Sequence, residues 1–212
     1  MIQIKNLKKT FKKNLIFENV NLNLEYGNIY GFLGVNGVGK SVFFKTISGL
    51  MKPTEGEVIC NNKRLYKDID YLPELGYMDN NAKFIKDLTG FENLKLLSSI
   101  KNVIKDEEIR QYMKLVNLEP NLTTKVKDYS LGMYQKLAII QAIMENPEII
   151  IFDEPFNGLD KKSCNVVKEI ILNLKCKNKI ILLTSHILND IEELADESYE
   201  FENKTISKIV NK

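Results

Sequence analysis

The 212 residues, 44% hydrophobic and 27% charged, hold enough apolar material for one sizeable core and rule out a disordered or collagen-like chain. Lys+Arg 30 against Asp+Glu 28 leaves a net charge of +2, so no general field draws the chain to nucleic acid or anionic lipid, and no nucleic-acid partner is expected. The apolar runs are too short to cross a bilayer and no signal-peptide core opens the sequence, which makes the cytoplasm the expected location. Cys60, Cys164 and Cys176 are odd in number and lack the spacing of a metal site or disulfide framework, as suits plain thiols in a reducing compartment.

In chain order, short strands are expected at residues 2–7 and 20–24. Ile29–Leu33 is continuously apolar, the pattern of a strand covered on both faces. A glycine-rich loop follows. Val42, Phe43, Ile47 and Leu50 then recur at helical spacing, with Gly49, Pro53 and Gly56 punctuating the exit. Residues 84–118 read as mainly helical, with Leu94, Leu97 and Ile100 on one stripe and Ile109, Met113 and Val116 on another. A helix over about residues 132–145 stops at Pro147. Ile149–Phe152 and residues 180–183 read as buried strands, separated by an amphipathic helix carrying Val166, Val167, Ile170, Ile171 and Leu174. Alternating strands and helices predict an α/β fold with a largely parallel sheet. With no repeat or linker, residues 1–212 read as one domain, with a helical insertion over roughly 82–136.

Gly34-Val35-Asn36-Gly37-Val38-Gly39-Lys40-Ser41 matches G-x-x-x-x-G-K-[ST] between the expected strand and helix. Such a loop turns successive backbone N–H groups toward an anion, and the helix adds its positive end. Lys40 then reaches the β- and γ-phosphates and the Ser41 hydroxyl holds Mg²⁺. Further on, Ile149–Phe152 runs into Asp153 and Glu154, two carboxylates at the carboxyl end of a buried strand, where open α/β sheets bind ligands. Asp153 suits Mg²⁺, directly or through water. Glu154 suits a general base that polarises the attacking water.

Three further segments narrow the class. Tyr129-Ser130-Leu131-Gly132-Met133 resembles the L-S-G-G-Q signature of ATP-binding-cassette (ABC) proteins, Phe156-Asn157-Gly158-Leu159-Asp160 is similar to their D-loop, and Thr184-Ser185-His186 to their switch-histidine motif. Over essentially its whole length the chain resembles an ABC nucleotide-binding domain, of the bacitracin-, lantibiotic- and bacteriocin-resistance exporter type. The resemblance implies a P-loop NTPase fold with a RecA-like parallel sheet core, an N-terminal antiparallel β subdomain and an inserted helical subdomain. It implies a dimer of nucleotide-binding subunits, paired head to tail. Each ATP, with its Mg²⁺, lies between residues Gly34 to Val42 of one copy and Ser130, Gly132 and the D-loop Asp160 of the other. Ser130 is expected to cap its helix while facing the γ-phosphate. Lys40, Glu154 and His186 become the catalytic set, and Ser41, Asp153 and Asn80 the metal site. Phe11 falls where the family stacks an aromatic on adenine, a position that a half-buried strand aromatic fills equally well. The resemblance also implies ATP hydrolysis coupled to transport, a separately encoded multi-span membrane permease, and a peripheral place on the inner face of the cell membrane. The cargo it suggests is an exported peptide, antibiotic or similar amphiphile.

The chain departs from the family pattern at several positions. Leu131 and Met133 replace glycine and glutamine, while Ser130 and Gly132 are kept. Asn80 stands where glutamine, sometimes glutamate, is usual; its shorter side chain still reaches a metal through water. Lys161 replaces a common proline and sets a cation at a helix N-terminus, which is mildly unfavourable. Two other functions stay open at this point: a soluble cassette ATPase of translation or DNA maintenance, and a low-turnover regulatory nucleotide-binding subunit.

Overall fold

The computed structural model of the protein describes residues 1–80 and 82–209; Asn81 and residues 210–212, the end of the expected domain, lie outside them. The first part of the chain forms β1 (Ile2–Phe11), β2 (Asn14–Leu24), β3 (Ile29–Leu33), α1 (Lys40–Ser48), β4 (Glu55–Cys60), β5 (Lys63–Arg64) and β6 (Leu75–Met78). A helical stretch follows with α2 (Gly90–Lys101), α3 (Asp106–Leu115) and α4 (Leu131–Ile143). The last part comprises β7 (Ile149–Phe152), α5 (Lys161–Lys175), β8 (Ile180–Ser185), α6 (Leu188–Glu192), β9 (Glu197–Glu202) and β10 (Thr205–Lys208).

Among the described residues the strands make two sheets. One is antiparallel, in the order β2-β1-β4-β5. The other runs β10-β9-β3-β8-β7-β6 and is parallel except for the β9–β10 hairpin. β7 and β8 are buried at every position, as their unbroken apolar runs require. Their period-two alternation feeds two separate cores. Ile149, Ile151, Ile180 and Leu182 pack with Phe43, Phe44 and the antiparallel sheet. Ile150, Phe152, Ile181 and Leu183 pack instead with α4, α5 and the helices α2 and α3.

Several expected details shift. The first two strands are longer than residues 2–7 and 20–24, because they pair as one long hairpin. α1 ends at Ser48, where Gly49 takes a left-handed φ of 94°, so Leu50 lies beyond the helix and is exposed. Helix in the middle segment starts at Gly90 instead of residue 84, because Thr89 and Glu92 form a reciprocal capping box. Ile100 is 79% exposed, so it does not extend the Leu94 stripe. The buried face of α2 uses Asn93 and Ser98 as well as Leu94, and Asn93 ties the preceding loop down through Ile85 and Thr89. The unfavourable Lys161 at the start of α5 is preceded by an Asp160 N-cap, an anion where the helix dipole favours one.

β6 lies so close to α4 that a Cβ on Gly76 would sit 1.9 Å from the Ala142 carbonyl oxygen. Gly76→Ala is therefore expected to destabilise the fold by about 1–3 kcal/mol. In a chain of this size that is a fall of about 2–12 °C in Tm, read by thermal unfolding; an unchanged Tm would show that the two elements separate freely.

Candidate active site

The phosphate loop leaves β3 and enters α1 through Gly39, whose φ of 121° belongs to glycine and whose Cβ would meet Ile16 of β2 at 2.7 Å. Lys40 opens the helix. Its side chain is 6% exposed, with Nζ donating to the Gly34 and Val35 carbonyls and lying 3.0 Å from Glu154 Oε1. This is an ion pair by distance, but its angles fall short of a hydrogen bond, so Glu154 Oε1 accepts none among the described residues.

Opposite the loop, β7 delivers Asp153, with no exposed surface, and Glu154, at 5% exposed. Glu154 turns out of the strand with φ 55°, a costly conformation for a residue with a side chain. Its peptide is held from both sides: the N–H donates to Thr184 Oγ1 at 2.7 Å, and the carbonyl accepts from Gln135 Nε2 at 2.8 Å. The Thr184 hydroxyl donates in turn to Asp153 Oδ1 at 3.0 Å. His186 Nδ1 lies 3.1 Å from Glu154 Oε2, so the Glu154 carboxylate sits between Lys40 and His186. Burial pushes the Asp153 carboxyl up from its ordinary 3.8; hydrogen bonds from Ser41 and Thr184 oppose the shift, while the nearby Glu154 and Asp79 add to it. Burial likewise pushes the Tyr77 phenol up, and its hydroxyl has no hydrogen-bond partner among the described residues.

Asn36, Gly37, Gly39, Lys40, Ser41, Val42, Asn80, Asp153 and Glu154 line one cavity of about 230 Å³. Asn80 thus joins the acidic pair across the cavity. Gly34, Val35 and Val38 shape the loop without lining that space. Ser130, Gly132 and Asp160 are not brought there; they line a second cavity of about 360 Å³ with Met133, Lys136 and Leu159. In it Ser130 caps α4, its Oγ accepting from Met133 N at 3.2 Å, and Asp160 caps α5 through Ser163 N at 2.7 Å. Those backbone donations hold the Asp160 carboxyl below the usual range. Phe11, 42% exposed at the end of β1, lines neither cavity; its ring faces Lys9 Nζ at 4.8 Å, two residues along the hairpin from Ile16 beside Gly39.

Sequence reasoning missed three contributors. Thr184 was legible only as a neighbour of His186. Gln135 carries no signal beyond its place five residues after Ser130. Asp79 lies next to Asn80 and pairs with Lys45 at 2.7 Å.

A phosphate loop at a helix start, facing a buried acidic pair at the end of the next strand but one, defines a nucleotide-hydrolysing α/β cassette. Residues 17–157 match the family model described as ABC transporter. The chain is 38% identical to the uncharacterized ABC transporter ATP-binding protein YybJ of Bacillus subtilis (strain 168), covering 100% of this chain and 99% of that one. It is 34% identical to the lantibiotic transport ATP-binding protein SrtF of Streptococcus pyogenes, over 92% and 84% of the two chains. A solved dimeric cassette, MJ0796 in a post-hydrolysis state bound to ADP and Pi, superposes with a TM-score of 0.84 at 25% identity and full coverage of both. The chain belongs to the ABC transporter family, as its ATP-binding, ATP-hydrolysing subunit. That membership favours the transporter over the soluble and regulatory alternatives.

The burial of Asp153 yields a sign-definite expectation. A carboxyl raised in the native state is destabilising when ionised; the penalty is full above the native value and disappears as pH falls below 3.8. Asp153→Asn should therefore raise Tm at pH 7.5 by about 2–4 °C for each kcal/mol of penalty removed. The gain should shrink as pH is lowered toward 3.8, and a loss of Tm at pH 7.5 would contradict it.

Proposed function

We propose that the chain powers an exporter: two copies close head to tail on two ATP molecules and drive a separately encoded permease with several membrane spans, at the inner face of the cell membrane. The observation that carries this reading is the division of the site residues of one chain between two cavities, Lys40 and Glu154 in one and Ser130 and Gly132 in the other. Each offers half of what a triphosphate requires, and a second copy supplies the complement. The dimeric ADP- and Pi-bound cassette supports the pairing, and the lantibiotic transport named for SrtF supports peptides, antibiotics or similar amphiphiles as cargo. No helix among the described residues is long and apolar enough to cross a membrane, so the path falls to the permease.

Hydrolysis follows from the geometry. A water oxygen bonds to the γ-phosphorus as the bond to the ADP oxygen breaks, and Glu154 takes the water proton. A carboxylate only accepts, so His186 Nδ1 carries the hydrogen in their 3.1 Å contact and fixes the orientation of Glu154. Lys40 exchanges Glu154 Oε1 for the β- and γ-phosphates as nucleotide enters, leaving Oε1 to the water. The Gly34–Val42 backbone and the dipole of α1 hold the phosphates, and Phe11 stacks on adenine. On the far side Ser130, Gly132 and Asp160 of the second copy close the site.

Mg²⁺ fits this donor set. Ser41, Asp153 and the Asn80 amide offer hard oxygen atoms, and the buried Asp153 Oδ2 accepts no hydrogen bond among the described residues. No group of three or more His, Cys, Asp or Glu among those residues could hold a metal unaided, so phosphate oxygens and water would complete the shell. Bound there, the ion offsets charge on the phosphates.

Glu154→Gln is expected to lower kcat about 10²–10⁴-fold while MgATP binding persists. Light scattering in MgATP should show the variant as a dimer. A variant that kept its turnover, or stayed monomeric both alone and beside its membrane subunit, would overturn the reading.

A further inference from the structure

The Glu154 peptide has two side-chain anchors of different kinds, beside the local turn in which its carbonyl also accepts from Asn157 N at 3.3 Å. Thr184, which takes its N–H, belongs to β8, the strand next to β7, and moves with the sheet. Gln135, which donates to its carbonyl, belongs to α4, the helix whose first turn carries Ser130 and Gly132. Gln135 is 4% exposed and its side-chain hydrogen bond to the Glu154 carbonyl is buried, so removing the donor carries a desolvation cost. α4 grips the same turn again at its far end: a Cβ on Gly158 would lie 2.4 Å from Leu131 Cγ, and one on Gly132 would lie 3.0 Å from the Gly158 oxygen.

We propose that Gln135 is a positioning residue that carries the engagement of the Ser130 helix to the general base of the same chain. Ser130 and Gln135 are separated by about 7.5 Å of one rigid helix, so a displacement at its start reaches Gln135 little diminished. Glu154 is in a left-handed conformation that it does not favour, and its carboxylate orientation depends on how that peptide is held. Movement of α4 turns the carbonyl and with it the carboxylate relative to His186 and Lys40. This rests on the two-copy reading above: if Ser130 faces the nucleotide of the partner copy, Gln135 makes each base sense the occupancy of the other site.

Three measurements on the purified chain test it. Gln135→Met, similar in volume and lacking the donor, is expected to lower kcat about tenfold with KM for ATP within about twofold, a size usual for coupling between sites. In series with Ser130, its effect is expected to be non-multiplicative: Ser130→Ala with Gln135→Met should lose less than the product of the single losses. Gln135→Glu should lose kcat relative to the unaltered chain as pH rises, because an ionised carboxylate cannot donate to the Glu154 carbonyl. An unchanged kcat for Gln135→Met, a full product in the double variant, or a pH-independent ratio for Gln135→Glu each overturns the proposal. Should Gln135→Met not fold, the Gln135→Glu profile decides alone. MgATP-driven dimers of Glu154→Gln, scored separately, show whether the two-copy reading itself has failed.

Discussion

Two carboxylates lie buried side by side at the end of β7, and the surroundings must make that tolerable. Removing such charges from water costs several kcal/mol apiece unless donors and cations replace the solvent. Asp153 receives Thr184 and Ser41; Glu154 receives His186 and the charge of Lys40. These partners come from two places in the chain, residues 40–41 and 184–186, which only the parallel sheet and the loop of α1 bring together. The compensation is incomplete, since Asp153 Oδ2 and Glu154 Oε1 accept no hydrogen bond among the described residues.

The same chain makes two incomplete surfaces. The phosphate loop supplies backbone donors and a lysine, while the start of α4 supplies a capped helix end with Ser130 and Gly132. They line two separate cavities. Within the chain the two are joined through Gln135 and the Leu131–Gly158 contact, so the departure of the signature from glycine at Leu131 has a packing partner. The small Gly158, in a left-handed turn, makes room for that larger side chain.

Much of this was legible from residues close together in sequence. The unbroken apolar runs of β3, β7 and β8 located the sheet, and the phosphate loop, acidic pair and His186 motif named the chemistry because each is a short contiguous string. β9 and β10 gave no such signal: Glu197–Glu202 carries three glutamates, and pairing with β3 and β10 makes it a strand. Ile100 and Leu50 show the opposite error, since apolar spacing continued past the surfaces that bury it. Gln135 is a polar residue whose burial depends on a backbone group distant in sequence, and no local pattern announces such a partner.

The approach of β6 to α4 at Gly76 has a mechanical consequence. The Ala142 carbonyl and the stiff Pro147 ring crowd Gly76 there, so the joint has little soft padding to absorb strain. β6 leads straight to Asn80, and α4 begins at the Ser130 cap. The loop that carries Asn80 and the helix capped by Ser130 are thus seated against one another at a contact that resists compression.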